Sequence, residues 1–147
     1  MTSTTLLLFV HILLAIVLLG PLLLGHLTMP PVLRRGREGL TLARYLHAVE
    51  SRLAPATLLI ALVGILLVED LGLSYRDTWI WLAIVLVLVA TAVGAGLIGP
   101  TERKAIEMIE AGEDASALVR RIRVLGLVNV ALLVAILWLM VDKPGLG

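Results

Sequence analysis

Hydrophobic residues in this 147-residue chain gather into four long runs, at 5–27, 53–68, 78–98 and 124–141, and nearly every charge falls between them. A hydrocarbon core about 30 Å thick takes about 20 apolar residues in a helix. Lipid offers no partner to a backbone N–H or C=O, so each crossing must be helical. Helical spacing of Leu42, Tyr45, Leu46, Val49 and Leu53 extends the second run backwards. The pattern thus predicts an all-α membrane protein, a four-transmembrane-helix antiparallel bundle. Its helices are placed at about 5–27, 42–68, 78–98 and 115–141, in one membrane domain over residues 1–147.

Breakers set the expected ends. Pro30-Pro31 and Gly36 should close the first connection, and Gly99-Pro100 should stop the third helix. Residues 101–111 then read as a separate polar helix ended by Gly112, with Asp114 capping the fourth crossing. Pro21 and Pro55 sit inside apolar runs and should bend them, since neither can donate to the carbonyl four residues back. Helix three carries Ala90, Ala92, Gly94, Ala95 and Gly96, small enough for close helix contact.

Charge orients the bundle. Arg34, Arg35, Arg37, Arg44 and Arg52 flank the first connection, and Arg103, Lys104, Arg120, Arg121 and Arg123 the third; the second has only Arg76 and the C-terminus only Lys143. Basic residues stay on the cytoplasmic side, which predicts N-out/C-out topology in a bacterial plasma (inner) membrane. Tyr75, Trp79, Trp81 and Trp138 then lie at the outer interface.

Composition adds exclusions. The chain is 60 % hydrophobic with mean hydropathy +1.05, above the ~45–50 % apolar content of soluble domains. A net charge of +1 gives no case for nucleic acid, and the absence of cysteine excludes disulfides, thiolate metal sites and covalent haem attachment. No nucleophile motif, P-loop or dinucleotide fingerprint occurs. No Asp, Glu, Lys or Arg is expected deep in a crossing, which argues against a proton relay.

His11 is the candidate centre, about 9 Å below the end of helix one. An ionisable residue at that depth faces the bundle interior. Gly64, Ala83 and Ala135 fall at the same level on the other helices. A histidine among small residues leaves space for a flat macrocycle, haem b, with His11 as axial ligand; alternatively the ring donates to a carbonyl of a neighbouring helix. A second candidate pairs His26 and His47 with Glu50 as a metal site, copper being one option. Asn129, Thr57 and Thr91 read as hydrogen-bonding glue.

Three segments, FVHILLAIVLLG, ESRLAPATLLIALVGILLV and WLMVDKPG, resemble an uncharacterised bacterial family of four-helix integral membrane proteins over nearly the whole chain. More distantly the chain is similar to copper-resistance-D-like proteins and small membrane protoporphyrinogen IX oxidases. That similarity sets their haem-associated histidine on His11 and their closing dipeptide on Lys143-Pro144. The oxidases' tryptophan after that histidine is replaced by aliphatics such as Leu18. Their helix-three lysine is replaced by Ala83 and Val85, and of their Asn-Glu-x-Pro run only Asn129 remains. Bare haem binding therefore carries over better than porphyrinogen oxidation. The expected role is a cofactor-binding electron-transfer protein, or an accessory subunit of a membrane redox complex or homo-oligomer, rather than a stand-alone enzyme. A cofactor-free structural subunit is the alternative.

Overall fold

The computed structural model describes residues 2–142. Four helical crossings account for almost all of them, and no strand occurs among the described residues. The first crossing is α1 (Ser3–Leu33). The second is α2 (Leu40–Ala56) followed by α3 (Leu58–Asp70), entered through a 3-10 turn at Gly36–Gly39. The third is α4 (Thr78–Thr91), a π-helical stretch at Ala92–Ile98, and α5 (Gly99–Ala111). The fourth is α6 (Ser116–Asp142). α1 packs on α2, α3 and α6, α4 on α6, and α5 on α2 and α6.

The outside of the bundle is apolar. Phe9, Ile16, Leu24, Leu62, Leu88, Val134 and Trp138 are all exposed. Burying one such side chain away from water is worth about 1.5–3 kcal/mol, so in water this surface would drive association. Lipid is the solvent that tolerates it.

Inside, α6 shows the seam plainly: Val119, Ile122, Gly126, Asn129, Leu133 and Ile136 recur three and four residues apart and are buried. The core divides into three apolar layers. Met29, Leu33, Ala43, Ala105, Ile106 and Ile122 fill the arginine-rich end. Leu18, Leu22, Ile60, Val87, Leu133 and Ile136 fill the middle. Val68, Trp79, Ile80, Ala83 and Leu139 fill the end nearer Ser3.

Two expected helix stops are overridden. α1 runs through Pro30 and Pro31: neither has an N–H to give to the carbonyl of His26 or Leu27, yet the chain stays helical and Arg34 N–H reaches the Pro30 carbonyl. Helix three runs through Gly99 and Pro100. There Gly99 N–H bonds to the carbonyl of Gly94, five residues back. The wider π turn accommodates a proline ring that clashes with the carbonyl four residues back in an α-helix. Pro55 does interrupt its crossing, where Thr57 separates α2 from α3. The connection between α3 and α4 is short, as the sequence implies. Asp114 accepts bonds from Ser116 N–H (2.9 Å) and the Ser116 hydroxyl (3.0 Å) at the start of α6.

Candidate functional site

Between the first and middle apolar layers lies a polar one. His26 sits on α1 between Leu22 and Met29, Glu50 on α2, Glu102 on α5 and Asn129 on α6; all four are buried. His47, on α2 three residues before Glu50, is partly exposed at the rim. This corrects the expectation of a separate polar helix at 101–111: Glu102 on that segment has no exposed surface at all.

The five side chains form two linked couples. His47 Nδ1 lies 3.0 Å from Glu102 Oε2. His26 Nδ1 lies 3.1 Å from Glu50 Oε2, within ion-pair distance but too poorly angled for a hydrogen bond. On its other side His26 Nε2 meets Asn129 Nδ2 at 2.9 Å. An amide N–H donates, so in this orientation Nε2 accepts and the ring hydrogen sits on Nδ1, toward Glu50. Both Glu50 oxygens, Glu102 Oε1 and Asn129 Oδ1 are buried without a hydrogen-bond partner among the described residues. A buried unsatisfied polar atom costs about 1–3 kcal/mol, so four acceptors gathered in one layer are costly for the fold to retain.

Glycines shape this layer. Gly25 faces the Glu50 carboxyl group, and any Cβ there would collide with it. A Cβ on Gly126 would lie 3.1 Å from the His26 carbonyl, so α6 approaches α1 closely where Asn129 must reach His26. Beside the couples is a cavity of about 200 Å³, bordered by His26, His47, Glu50, Glu102 and Arg103 and roofed by Gly94 and Ala95 of the π stretch. A space of that size accommodates several waters. Farther in, a cavity of about 30 Å³ adjoins Asn129, Thr57 and Thr91, enough for about one water. Thr57 donates to the Ala54 carbonyl (2.6 Å), which leaves Thr91 to donate to Thr57 across the 2.7 Å between their hydroxyls.

The expected ligand set of His26, His47 and Glu50 does not assemble. The two histidines take different carboxylates, and no group of three His, Asp or Glu among the described residues is placed to hold a metal ion. Glu50 also has no arginine partner; Arg44 reaches Glu110 instead, an exposed pair of little energetic consequence.

His11 lies in the opposite half of the bundle. Its ring packs into the notch at Gly64, where a Cβ would stand 3.2 Å from Cε1, and it approaches the Ile60 carbonyl. Its Nδ1 is buried without a well-directed partner. An apolar cavity of about 330 Å³ opens beside it, lined by Gly64 and Ala83 and, from α6, by Ile136 and Met140. Ala135 is not part of it. One residue off the α6 seam, it lines a separate groove between α4 and α6 with Leu82 and Leu86. Lys143 and Pro144 lie outside the described residues.

The sequence marks His26, His47 and Glu50 but hides Glu102, because Gly99-Pro100 has the composition of a helix stop. The signal was available: Ile98, Glu102, Ala105 and Ile109 continue the helical spacing across that dipeptide and are all buried.

Residues 5–144 match the model of the family described as "Predicted integral membrane protein (DUF2269)", and the chain belongs to that family. No curated protein and no solved structure matches the chain. The wider similarity to copper-resistance-D-like proteins is not shown.

Proposed function

We propose that this DUF2269 protein is a proton-handling membrane subunit whose working part is the polar layer of two histidine–glutamate couples. The observation that carries this reading is Glu102, wholly buried, with one oxygen on His47, the other without a partner among the described residues, and a cavity alongside. Two ionised carboxylates with neutral imidazoles would cost several kcal/mol per ion in such a place. A proton held in each couple removes that charge, either as carboxylic acid and imidazole or as carboxylate and imidazolium. His47 reaches the rim, so exchange runs through it from the arginine-rich end. Asn129 suits both states of His26: its amide donates to a bare Nε2, and flipped it presents Oδ1 to a protonated one. Proton uptake of this kind serves a membrane complex that consumes or moves protons.

The test is infrared difference spectroscopy of the full chain in lipid nanodiscs as pH is stepped. The expected result is a protonation change in this layer, read either as a deuterium-sensitive carboxylic-acid band lost in Glu102→Gln or as an imidazole–imidazolium change lost in His47→Gln. A spectrum with neither a carboxylic-acid change nor an imidazole–imidazolium change from these residues, over the pH range in which the protein stays folded, overturns the reading.

A second reading, haem b in electron transfer, has one observation in its favour, the orphan His11 Nδ1 beside an apolar cavity. His11 would supply one axial bond after turning from Gly64, and the group would supply one-electron chemistry. Among the described residues no arginine or lysine borders that cavity to meet the propionates. An absorption spectrum of the purified protein decides: a Soret band lost in His11→Ala supports haem, and a colourless protein removes it in favour of a cofactor-free subunit.

A further inference from the structure

The end of the bundle that carries most of the positive charge holds a second cavity, of about 600 Å³, outside the polar layer. Four arginines border it from two separate parts of the chain. Arg34 follows the end of α1 and Arg37 lies in the 3-10 turn; Arg120 and Arg123 stand three residues apart in the first turns of α6. Gly112, at φ +79°, ends α5 and turns the chain so that α6 begins at the cavity's edge. Two acids, Glu113 and Asp114, are also present, which leaves a formal excess of two positive charges. Asp114 is already engaged by Ser116 N–H and hydroxyl. Arg37 spends one bond of 3.4 Å on the Glu110 carbonyl, and no carboxylate pairs with Arg34, Arg120 or Arg123 among the described residues.

We infer that this cavity binds a phosphate-bearing anion, and that at the depth where the apolar crossings end its source is the headgroup of an anionic phospholipid. Guanidinium groups bind phosphate oxygens two at a time in a fixed planar fork. Basic pockets between crossings at the charged end of a membrane protein suit anionic headgroups. The distribution of arginines sharpens the claim. Arg35 and Arg121 belong to the same two segments but do not border the cavity. A diffuse attraction between positive charge and an anionic leaflet would use all of them alike, whereas a site uses only the four.

The experiment is native mass spectrometry of the full chain from mixed micelles of phosphatidylglycerol and phosphatidylcholine. The wild type is expected to retain phosphatidylglycerol several-fold over phosphatidylcholine. Arg120→Gln with Arg123→Gln loses that preference, and the charge-matched Arg35→Gln with Arg121→Gln keeps it. A second arm adds inorganic phosphate to lipid-stripped protein. Displacement of phosphatidylglycerol by phosphate supports a site that reads the phosphate group from either source; retention of the lipid supports the headgroup as a whole. Equal losses in the two double variants, or equal retention of both lipids by the wild type, overturns the proposal.

Discussion

The carboxyl group of Glu50 fills the space that a side chain at Gly25 would need. Alanine is about 1 kcal/mol better than glycine in a helix interior, so at a neutral position Gly25→Ala would stabilise α1. Here it must push Glu50 away from His26, and overpacking of a buried site costs about 1–3 kcal/mol. Gly25→Ala is therefore expected to lower the thermal unfolding midpoint in detergent. Adding Glu50→Ala should restore part of that loss, so the double variant is less destabilised than the sum of the singles.

Glu102 separates shape from charge. Glu102→Gln keeps the side chain's volume and a hydrogen bond to His47, and its stability should fall by less than about 1.5 kcal/mol. Glu102→Ala leaves His47 unanswered beside an enlarged hole, and a loss of about 2–5 kcal/mol is expected. Circular dichroism melts of the two variants against wild type measure the difference.

Thr57, between α2 and α3, and Thr91 of α4 form a partly buried link, and Asn129 forms a buried one from α6 to His26. Hydrogen bonds between membrane helices contribute about 0.6–2 kcal/mol each. Thr91→Val should cost an amount in that range. Asn129→Leu should cost more, since it also strands the ring nitrogen of His26. The same melts rank the two.

Asp114 gives a pH-dependent helix start. The Ser116 N–H and hydroxyl bonds hold its carboxyl below the usual carboxylate value. A carboxyl depressed in the folded state stabilises it above the ordinary, unfolded value, and that contribution disappears as pH falls through the lower folded value. Hydrogen exchange at the first turn of α6 should therefore quicken on acidification, beyond the intrinsic effect of pH on exchange, with no such extra change in Asp114→Ala.

Much of this architecture is legible in the chain because lipid imposes simple demands. The length of each apolar run marks a crossing, and the 3,4 spacing of Val119, Ile122, Gly126, Asn129 and Leu133 marks the inward face of α6. Depth is legible as well, since His11 does meet Gly64, with Ala83 bordering the same cavity. Rotation about a helix axis is harder. Ala135 shares the depth of His11, but one residue turns a helix by about 100°, so Ile136 faces inward and Ala135 does not. Helix ends are less legible where proline intervenes. Pro30 and Pro31 cost α1 two hydrogen bonds without ending it, and Pro100 is carried by a hydrogen-bond pattern with no mark in composition. The partner of His47 is hidden for the same reason, because Glu102 lies just past Pro100.

The π stretch at Ala92–Ile98 takes up one residue more than an α-helix would over the same turns. Were the same seven residues to wind as ordinary α-helix, everything beyond them would swing by roughly 100°. Glu102 would then leave the bundle's axis for the hydrocarbon, although every chemical group had been kept. A homologous chain with one residue fewer between the positions of Thr91 and Glu102 should wind this segment as α-helix and still keep its acid on the inner face.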